Sequence, residues 1–437
     1  MAKIIPFKGL RYNTEIVGDL SSVTTPPYDI ISEKQQQEFY DMHPFNVIRL
    51  ELGKELPDDD EAHNKYTRSG VTLTEWLESG VLKLEDDNSM YVYGQDFTLK
   101  NGKILSYKGI MCLVKLEEFE KGIVLPHEET LSKAKTDRYN LMSATGANFS
   151  AIYSLYLDEE KNITPVINEA AASDPDVSFK AYDGVVQKLW KISDDNVIKN
   201  LEKGFENKQL FIADGHHRYE TALNYRNAMR AKYPDYTGNE LFNYVMMFLV
   251  EMDEPGLVVF PTHRLVKNIY AFDETKVTEM LSDNFVIEKI SAAENISDAI
   301  ENKLAQNASY KVFAMYTGKD YYYYIKLKDI EIARMAIPDK SKAYQGLDVS
   351  ILHNLILSRA FGIDAENMKD QRNLVYTRDP KEAENSVLSG DFQCAFFLNP
   401  TKIYEIKEVS LANEKMPQKS TYFYPKLITG LIMNKFQ

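Results

Sequence analysis

The stretch from Ser89 to Phe119, SMYVYGQDFTLKNGKILSYKGIMCLVKLEEF, constrains the fold more than any other. Apolar and polar residues alternate with period two on both sides of Asn101-Gly102, and that dipeptide suits a two-residue hairpin turn, which needs φ > 0. The pattern predicts a long antiparallel hairpin, and strands dominate this part of the chain.

Further strands are predicted at NVIRLEL, FSAIYSLYLD and VVQKLWKIS, and at NYVMMFLVEM and GLVVFPTHRLV, an adjacent pair flanking Pro255-Gly256. Helices are predicted at SEKQQQEFYDM, capped by Ser32 after the rigid entry VTTPPYDII, and within DDDEAHNKYTRSGVTLTEWLESG. TDRYNLMSATG, the region of ITPVINEAAAS, and DDNVIKNLEKGF read likewise. From Phe272 the texture changes. Two amphipathic helices enclose FVIEKI, and the strands YKVFAMYTG and YYYYIKLKD follow, with the look of a separate α+β unit. The four consecutive tyrosines, Tyr321 to Tyr324, read as a two-faced strand.

The predicted class is therefore mixed α+β. Residues 1–270 form the main region with a β-rich insertion over about 89–192, residues 271–345 an accessory α+β domain, and 346–437 a segment that returns to the core with MPQKST.

Composition narrows the partners. At 437 residues and 44% hydrophobic, the chain has ample core for two or three domains. A net charge of −14 speaks against the long basic surface that nucleic acid requires. No run reaches the eighteen apolar residues of a membrane span, and the N-terminus lacks a signal-peptide core. Cys112 and Cys394 lie in apolar runs and offer neither a disulfide framework nor a zinc site. A cytoplasmic protein acting on a small molecule is the expectation, with no nucleic acid and no membrane.

Several nucleotide and metal motifs are missing. No GxGxxG occurs, Lys419-Ser420-Thr421 lacks upstream glycines for a Walker A loop, and the histidine that would complete HExxH after His127-Glu128 is replaced by Leu131. No GxSxG elbow occurs either.

What remains is a set of polar clusters at the ends of apolar runs. In FIADGHHRYETALNYR, a strand and a tight turn at Asp214-Gly215 lead into a helix whose first turn carries His216, His217 and Arg218. Cations there oppose the macrodipole by about 0.3–1 kcal/mol each, so the turn reads either as a capped surface helix with a chance HHR or as the seat of an anion. Asp214 can cap the helix or hold a divalent cation, Gly215 lets an anion approach the backbone, and the imidazoles and guanidinium supply charge and a planar fork. Glu220, one turn on, can orient His216. His263-Arg264 ends a strand, where a surface strand end is the ordinary alternative. His127-Glu128 and Asp137-Arg138 flank a helix start, where Asp137 also reads as an ordinary helix acid. Tyr28-Asp29 form a rigid corner. Glu51 reads either as a solvent-facing residue of a strand or as a presented general base. Lys419, Ser420 and Thr421 add a cation and two hydroxyls. Together these describe a site for phosphoryl groups, with carboxylates for metal or base work, Asp214 and Glu128 among them.

The motifs VTTPPYD, NVIRLELG, PHEETL, TDRYNLM, ADGHHRYETAL, GLVVFPTHR and MPQKSTYFYPKLITG, in this order, resemble those of the bacterial and archaeal family known as domain of unknown function 1015. The DGHHR core is also similar to the ParB/sulfiredoxin-like fold, whose compact free-serine kinases make O-phospho-L-serine from L-serine with ADP, ATP or pyrophosphate. The resemblance implies a ParB/sulfiredoxin-like core with large insertions. It implies Asp214 as metal or acid-base partner, Gly215 to Arg218 as the phosphate grip, and Glu51 or Asp29 as the base. Where the family usually has a histidine before Leu-Trp, this chain has Gln187.

These readings give a Mg2+-dependent kinase acting on free L-serine. Asp214, Glu51, Asp29 and His217 are its candidate catalytic residues. Gly215, His216, Arg218, His263, Arg264, Lys419, Ser420 and Thr421 are candidates for donor binding, with Tyr28, His127, Glu128, Arg138 and Glu220 in support. The alternatives are a ParB-like nucleotide-dependent DNA-binding or regulatory protein, and a phosphohydrolase using the same anion site.

Overall fold

The computed structural model describes residues 1–128, 130, 132–292 and 295–436. Glu129 and Leu131, inside the motif PHEETL, lie outside the described residues. The fold is mixed α/β, and contacts divide the chain into two compact units. The first comprises Met1–Pro126, Thr130–Val258 and Pro425–Gln437, the second His127–Glu129 and Val259–Tyr424.

A nine-stranded sheet forms the first unit's frame. The predicted hairpin is present as Met90–Thr98 paired with Ile104–Lys115, with Gly102 at φ 81° in the turn. Ile104–Lys115 also pairs antiparallel with Tyr244–Glu251, which runs parallel to Ile152–Tyr156. Ile152–Tyr156 pairs antiparallel with Leu210–Asp214, and the register shifts between Ile212 and Asp214. All eight residues of Tyr244–Glu251 are buried, as its unbroken apolar run requires of a central strand. Helix Asp195–Phe205 starts where the Asp194 side chain accepts from the amides of Asn196 and Val197, and its Ile198, Leu201 and Phe205 join the core against Val92, Cys112 and Val245.

A smaller core gathers Val47, Leu50, Leu73, Trp76 and Leu141. Here one prediction fails. NVIRLEL is not a strand but the helical turn Ile48–Glu51. The Asn46 side chain accepts from the amide of Ile48, and the amides of Glu51 and Leu52 bond back to Val47 and Ile48, so the local hydrogen bonds close a turn. Glu51 is therefore buried, not on a solvent-facing strand edge.

The second unit has a six-stranded antiparallel sheet in the order Phe285–Ser291, Tyr321–Leu327, Val312–Tyr316, Cys394–Leu398, His263–Val266, Leu374–Thr377. Helices Ile296–Gln306 and Pro380–Leu388 cover one face. Ile300, Leu304, Ala383 and Val387 pack there with Tyr322, Tyr324 and Phe397. The tyrosine run is thus ordinary strand packing. Strands from both sides of residue 345 share this sheet, so the border predicted there does not coincide with a break in pairing, and MPQKST belongs to this unit.

NYVMMFLVEM and GLVVFPTHRLV do not pair with each other. Pro261 has no amide to continue a ladder, and His263–Val266, beyond it, finds partners on both edges in Leu374–Thr377 and Cys394–Leu398. LDVSILHNLILSRAFG is helical, with a π-helical stretch at Leu352–Leu357. Both cysteines are buried free thiols. Among the described residues, no helix is long and apolar enough to cross a membrane.

Candidate functional site

Strand Leu210–Asp214 delivers Asp214 to the rim of the sheet, and Gly215 turns the chain into helix His216–Lys232. Gly215 lies at φ 95°, and a Cβ there would sit 2.9 Å from Arg218 Nε, so both backbone and packing demand glycine. No side chain caps the helix, and no acid occupies its first turn. The charge conflict read from the sequence is met from one residue outside the helix. Arg218 folds back to donate to Asp214 Oδ2 at 2.6 Å and to the carbonyl of Ala151. Lys426 Nζ, from the C-terminal segment of the same unit, donates to Asp214 Oδ1.

Desolvation opposes ionisation of Asp214, but Lys426, Arg218 and His216 outweigh it and hold the carboxyl well below the usual range. Asp214 is therefore a fixed anion clasped by two cations. His216 is buried and His217 half-buried. Glu220 accepts from Thr130 at 2.8 Å and from Lys135 at 2.7 Å.

Glu51 carries the opposite balance. Its side chain is 4% exposed, with Oε1 accepting from Ser150 Oγ at 3.0 Å and lying 3.2 Å from Arg138. Burial raises the Glu51 carboxyl above its ordinary range, against the pull of Arg138, Ser150 and Arg218. Arg138, on helix Ser132–Thr145, also donates to the Glu51 carbonyl at 3.0 Å and to Asp137 at 2.6 Å. Its guanidinium stacks over the Tyr28 ring, 3.9 Å from the centroid. Burial, offset by Arg138 and Arg218, pushes the Tyr28 hydroxyl up to about 12. Burial resists ionisation of Asp137, yet Arg138 and Lys65 lower it to about 2. Asp137 is therefore an ion-pair partner, and the neighbouring Asp29 is exposed.

A cavity of about 30 Å3 is lined by Glu51, Arg138, Ser150, Arg218 and Thr221. It has room for one water or a single hydroxyl group. Arg218 joins the two halves of the site, since it lines this cavity and grips Asp214.

Two contributors escape a reading of the sequence, and Gln187, noted there, proves to be a third. Ser150 follows a short strand with no motif around it. Lys426 lies beyond Lys419-Ser420-Thr421, which drew the attention. Gln187 is fully buried and accepts through Oε1 from Tyr93 and, at 3.0 Å, from Gln95, whose Nε2 also donates to the Lys426 carbonyl at 3.2 Å. This network ties the strand pair to the backbone that carries Lys426.

The other predicted residues belong to the second unit. His127, fully buried, lies with Nε2 3.0 Å from Thr421 Oγ1, which donates to Glu128 Oε1 at 3.2 Å. His263 packs on Phe397 with centroids 4.9 Å apart. Arg264 is fully buried, not a surface strand end. Lys419 takes a left-handed φ of 57° and offers its carbonyl to Arg264, and the Ser420 hydroxyl bonds the Pro417 carbonyl. The KST hydroxyls are thus held by protein partners.

As protein ligands for Mg2+, these residues do not fit. Both Asp214 oxygens are engaged by cations, Glu128 is bonded to Thr421, and no group of three His, Cys, Asp or Glu side chains suited to a metal exists among the described residues.

Comparison with known proteins gives a family and several structural similarities. The family model described as a protein of unknown function, DUF1015, matches residues 4–350. No curated protein matches. A free serine kinase in complex with AMP is 14% identical with a TM-score of 0.31, over 70% of this chain and 85% of that one. A conserved hypothetical protein from Pyrococcus furiosus is 14% identical, TM-score 0.32, over 71% and 90%. SbnI with C-terminal truncation from Staphylococcus aureus is 10% identical, TM-score 0.34, over 73% and 85%.

Proposed function

The chain belongs to the DUF1015 family, whose function is unknown, and from its own residues we propose that it is a phosphotransferase that converts free L-serine to O-phospho-L-serine. One observation carries the reading: a buried carboxylate raised in pKa, Glu51, and a carboxylate clasped by two cations, Asp214, share Arg218. Phosphoryl transfer asks for a base at the acceptor and fixed positive charge at the donor, with little covalent chemistry from the protein. L-serine as acceptor comes from the resemblance of the DGHHR turn to free-serine kinases.

In this proposal the serine hydroxyl reaches Glu51 Oε2, which takes its proton as the Oγ–P bond forms. The P–O bond to the leaving phosphate breaks at the same time, and the proton on Glu51 passes to solvent. Lys426, Arg218 and the uncapped first turn of helix His216–Lys232 neutralise the charge on the transferred group and the leaving oxygen. Asp214 does not act as a base in this scheme, because two cations hold it ionised; it anchors Lys426 and Arg218. Tyr28 orients Arg138. Mg2+ belongs on the donor's own phosphates, not in a protein-built site, and no step here runs through it. Pyrophosphate, ADP and ATP are the candidate donors.

The test is incubation of the full chain with L-serine, Mg2+ and each donor in turn, with 31P detection of O-phospho-L-serine. Product from at least one donor is expected. Release of phosphate without phosphoserine would make the protein a phosphohydrolase, and no turnover of any donor would end the phosphotransferase reading.

A further inference from the structure

The second unit holds a cavity of about 530 Å3 that the proposed chemistry does not use. Its size suits a small molecule up to a nucleotide. Its wall includes Tyr344, Met368, Tyr376, His353, Asn354 and the start of the segment Met416-Pro417-Gln418. Two observations show what it is built to accept.

The first is a pair of unsatisfied donors. Arg264 Nε bonds His353 Nε2 at 3.2 Å. An arginine Nε only donates, so His353 Nε2 is the acceptor and the proton of the neutral ring is on Nδ1. Burial, then Arg264, pushes this histidine well below its ordinary range, which keeps it neutral. His353 is 4% exposed, and its Nδ1 has no hydrogen-bond partner among the described residues. The Tyr376 hydroxyl is buried and likewise without a partner. Such groups are costly to bury unless something fills them. His353 and Asn354 reach the wall from the π-helical stretch Leu352–Leu357, a distortion that recurs at functional sites.

The second is buried positive charge. Arg264 touches both residues, bonding His353 and stacking with its guanidinium 4.8 Å from the Tyr376 centroid. It is fully buried, and its hydrogen-bond partners are all neutral: His353 and the carbonyls of Thr262 and Lys419. Among the described residues no carboxylate forms a salt bridge with it, and Glu128 acts on it only at longer range. The rim carries Lys340 and Lys415 but also Asp364 and Glu366, so the selectivity for charge comes from the buried arginine.

We propose that this cavity binds a small organic anion, whose acidic head accepts from His353 Nδ1 and Tyr376 Oη and whose charge is matched by Arg264 behind them. The body of the ligand packs on Tyr344, Met368 and Met416. The site is independent of the proposed kinase chemistry.

The test is a 1H–15N histidine spectrum of the full-length protein, with His353 assigned by its loss in His353→Asn. AMP is titrated as the phosphate-headed probe and benzoate as the carboxylate-headed one. The expected result is a saturable shift of the His353 ring with at least one probe, and an affinity about tenfold weaker in Tyr376→Phe, the loss of one hydrogen bond to a charged acceptor. That variant removes only a hydroxyl with no protein partner, so the free protein should melt as the parent does. The probe that acts assigns the head group. No shift with either probe at millimolar concentration, or a shift whose affinity Tyr376→Phe leaves unchanged, would overturn the proposal. A probe held by the first unit leaves His353 unshifted.

Discussion

Two ends of the site in the first unit hold a carboxylate against cations, and the two carboxylates respond in opposite directions. Asp214, 18% exposed in its side chain, has a cation on each oxygen and is held ionised. Glu51, 4% exposed, pairs with Arg138, which also grips Asp137, and burial outweighs the pull of Arg138, Ser150 and Arg218. The difference is one of contact and burial: Asp214 has a cation on each oxygen, whereas Glu51 pairs through one oxygen with a guanidinium that Asp137 also holds, and its deeper burial leaves the carboxylate able to take up a proton. Pairs of acids whose environments push them apart mark a division of labour. In the proposed reaction the fixed charge would be the anchor and the raised acid the base.

The largest effect should come from Glu51→Gln. The amide preserves shape and the bond from Ser150, so the fold should persist while kcat falls by about 10²–10⁴, the usual contribution of a general base. Because the folded pKa of Glu51 is raised, its protonated form is the stable one. The stability it contributes is present below its unfolded pKa and is lost as pH rises through the folded value. Thermal denaturation at neutral pH should therefore show Glu51→Gln no less stable than the parent.

Asp214→Asn should act differently, on binding and stability together. Releasing Lys426 and Arg218 should lower kcat/KM by about 10²–10³, mostly through the KM of the donor. The folded pKa of Asp214 is depressed, so its contribution to stability is present above the unfolded value and lost as pH falls through the folded one. The gap in melting temperature between parent and Asp214→Asn should accordingly close in strong acid, and a gap that persists there would break the comparison.

A smaller effect is expected at Gln187. Replacing it with Leu leaves Tyr93 and Gln95 without their shared acceptor, which should lower stability by about 1–3 kcal/mol in denaturant titration. Activity should fall only a few-fold, because Lys426 is loosened and not removed.

The turn at Asp214-Gly215 was legible because its signals are local: an apolar strand, a glycine that must be left-handed, and cations at the wrong end of a helix. The hairpin at Asn101-Gly102 was legible for the same reason. The helical turn that carries Glu51 is not legible because four residues are too few for helical periodicity to show, and only the bond from the amide of Ile48 to Asn46 reveals it. Lys426 reaches a residue 212 positions away, and no spacing announces such a contact. The burial of Arg264 is not legible, because arginine is usually a surface residue and the strands that enclose it on both sides pair from distant sequence. Local chemistry was readable, whereas burial and long-range pairing set which carboxylate is raised and which is held ionised.

The central claim is the division of roles between Glu51 and Asp214, and the rate of O-phospho-L-serine formation against pH, in the parent, Glu51→Gln and Asp214→Asn, tests it most directly. The parent should lose kcat about tenfold per unit of pH below the raised Glu51 pKa, an acid limb lying above the ordinary glutamate range. Asp214→Asn should keep that limb at reduced height, and Glu51→Gln should lose it. A limb that survives in Glu51→Gln, or disappears only in Asp214→Asn, would contradict the account.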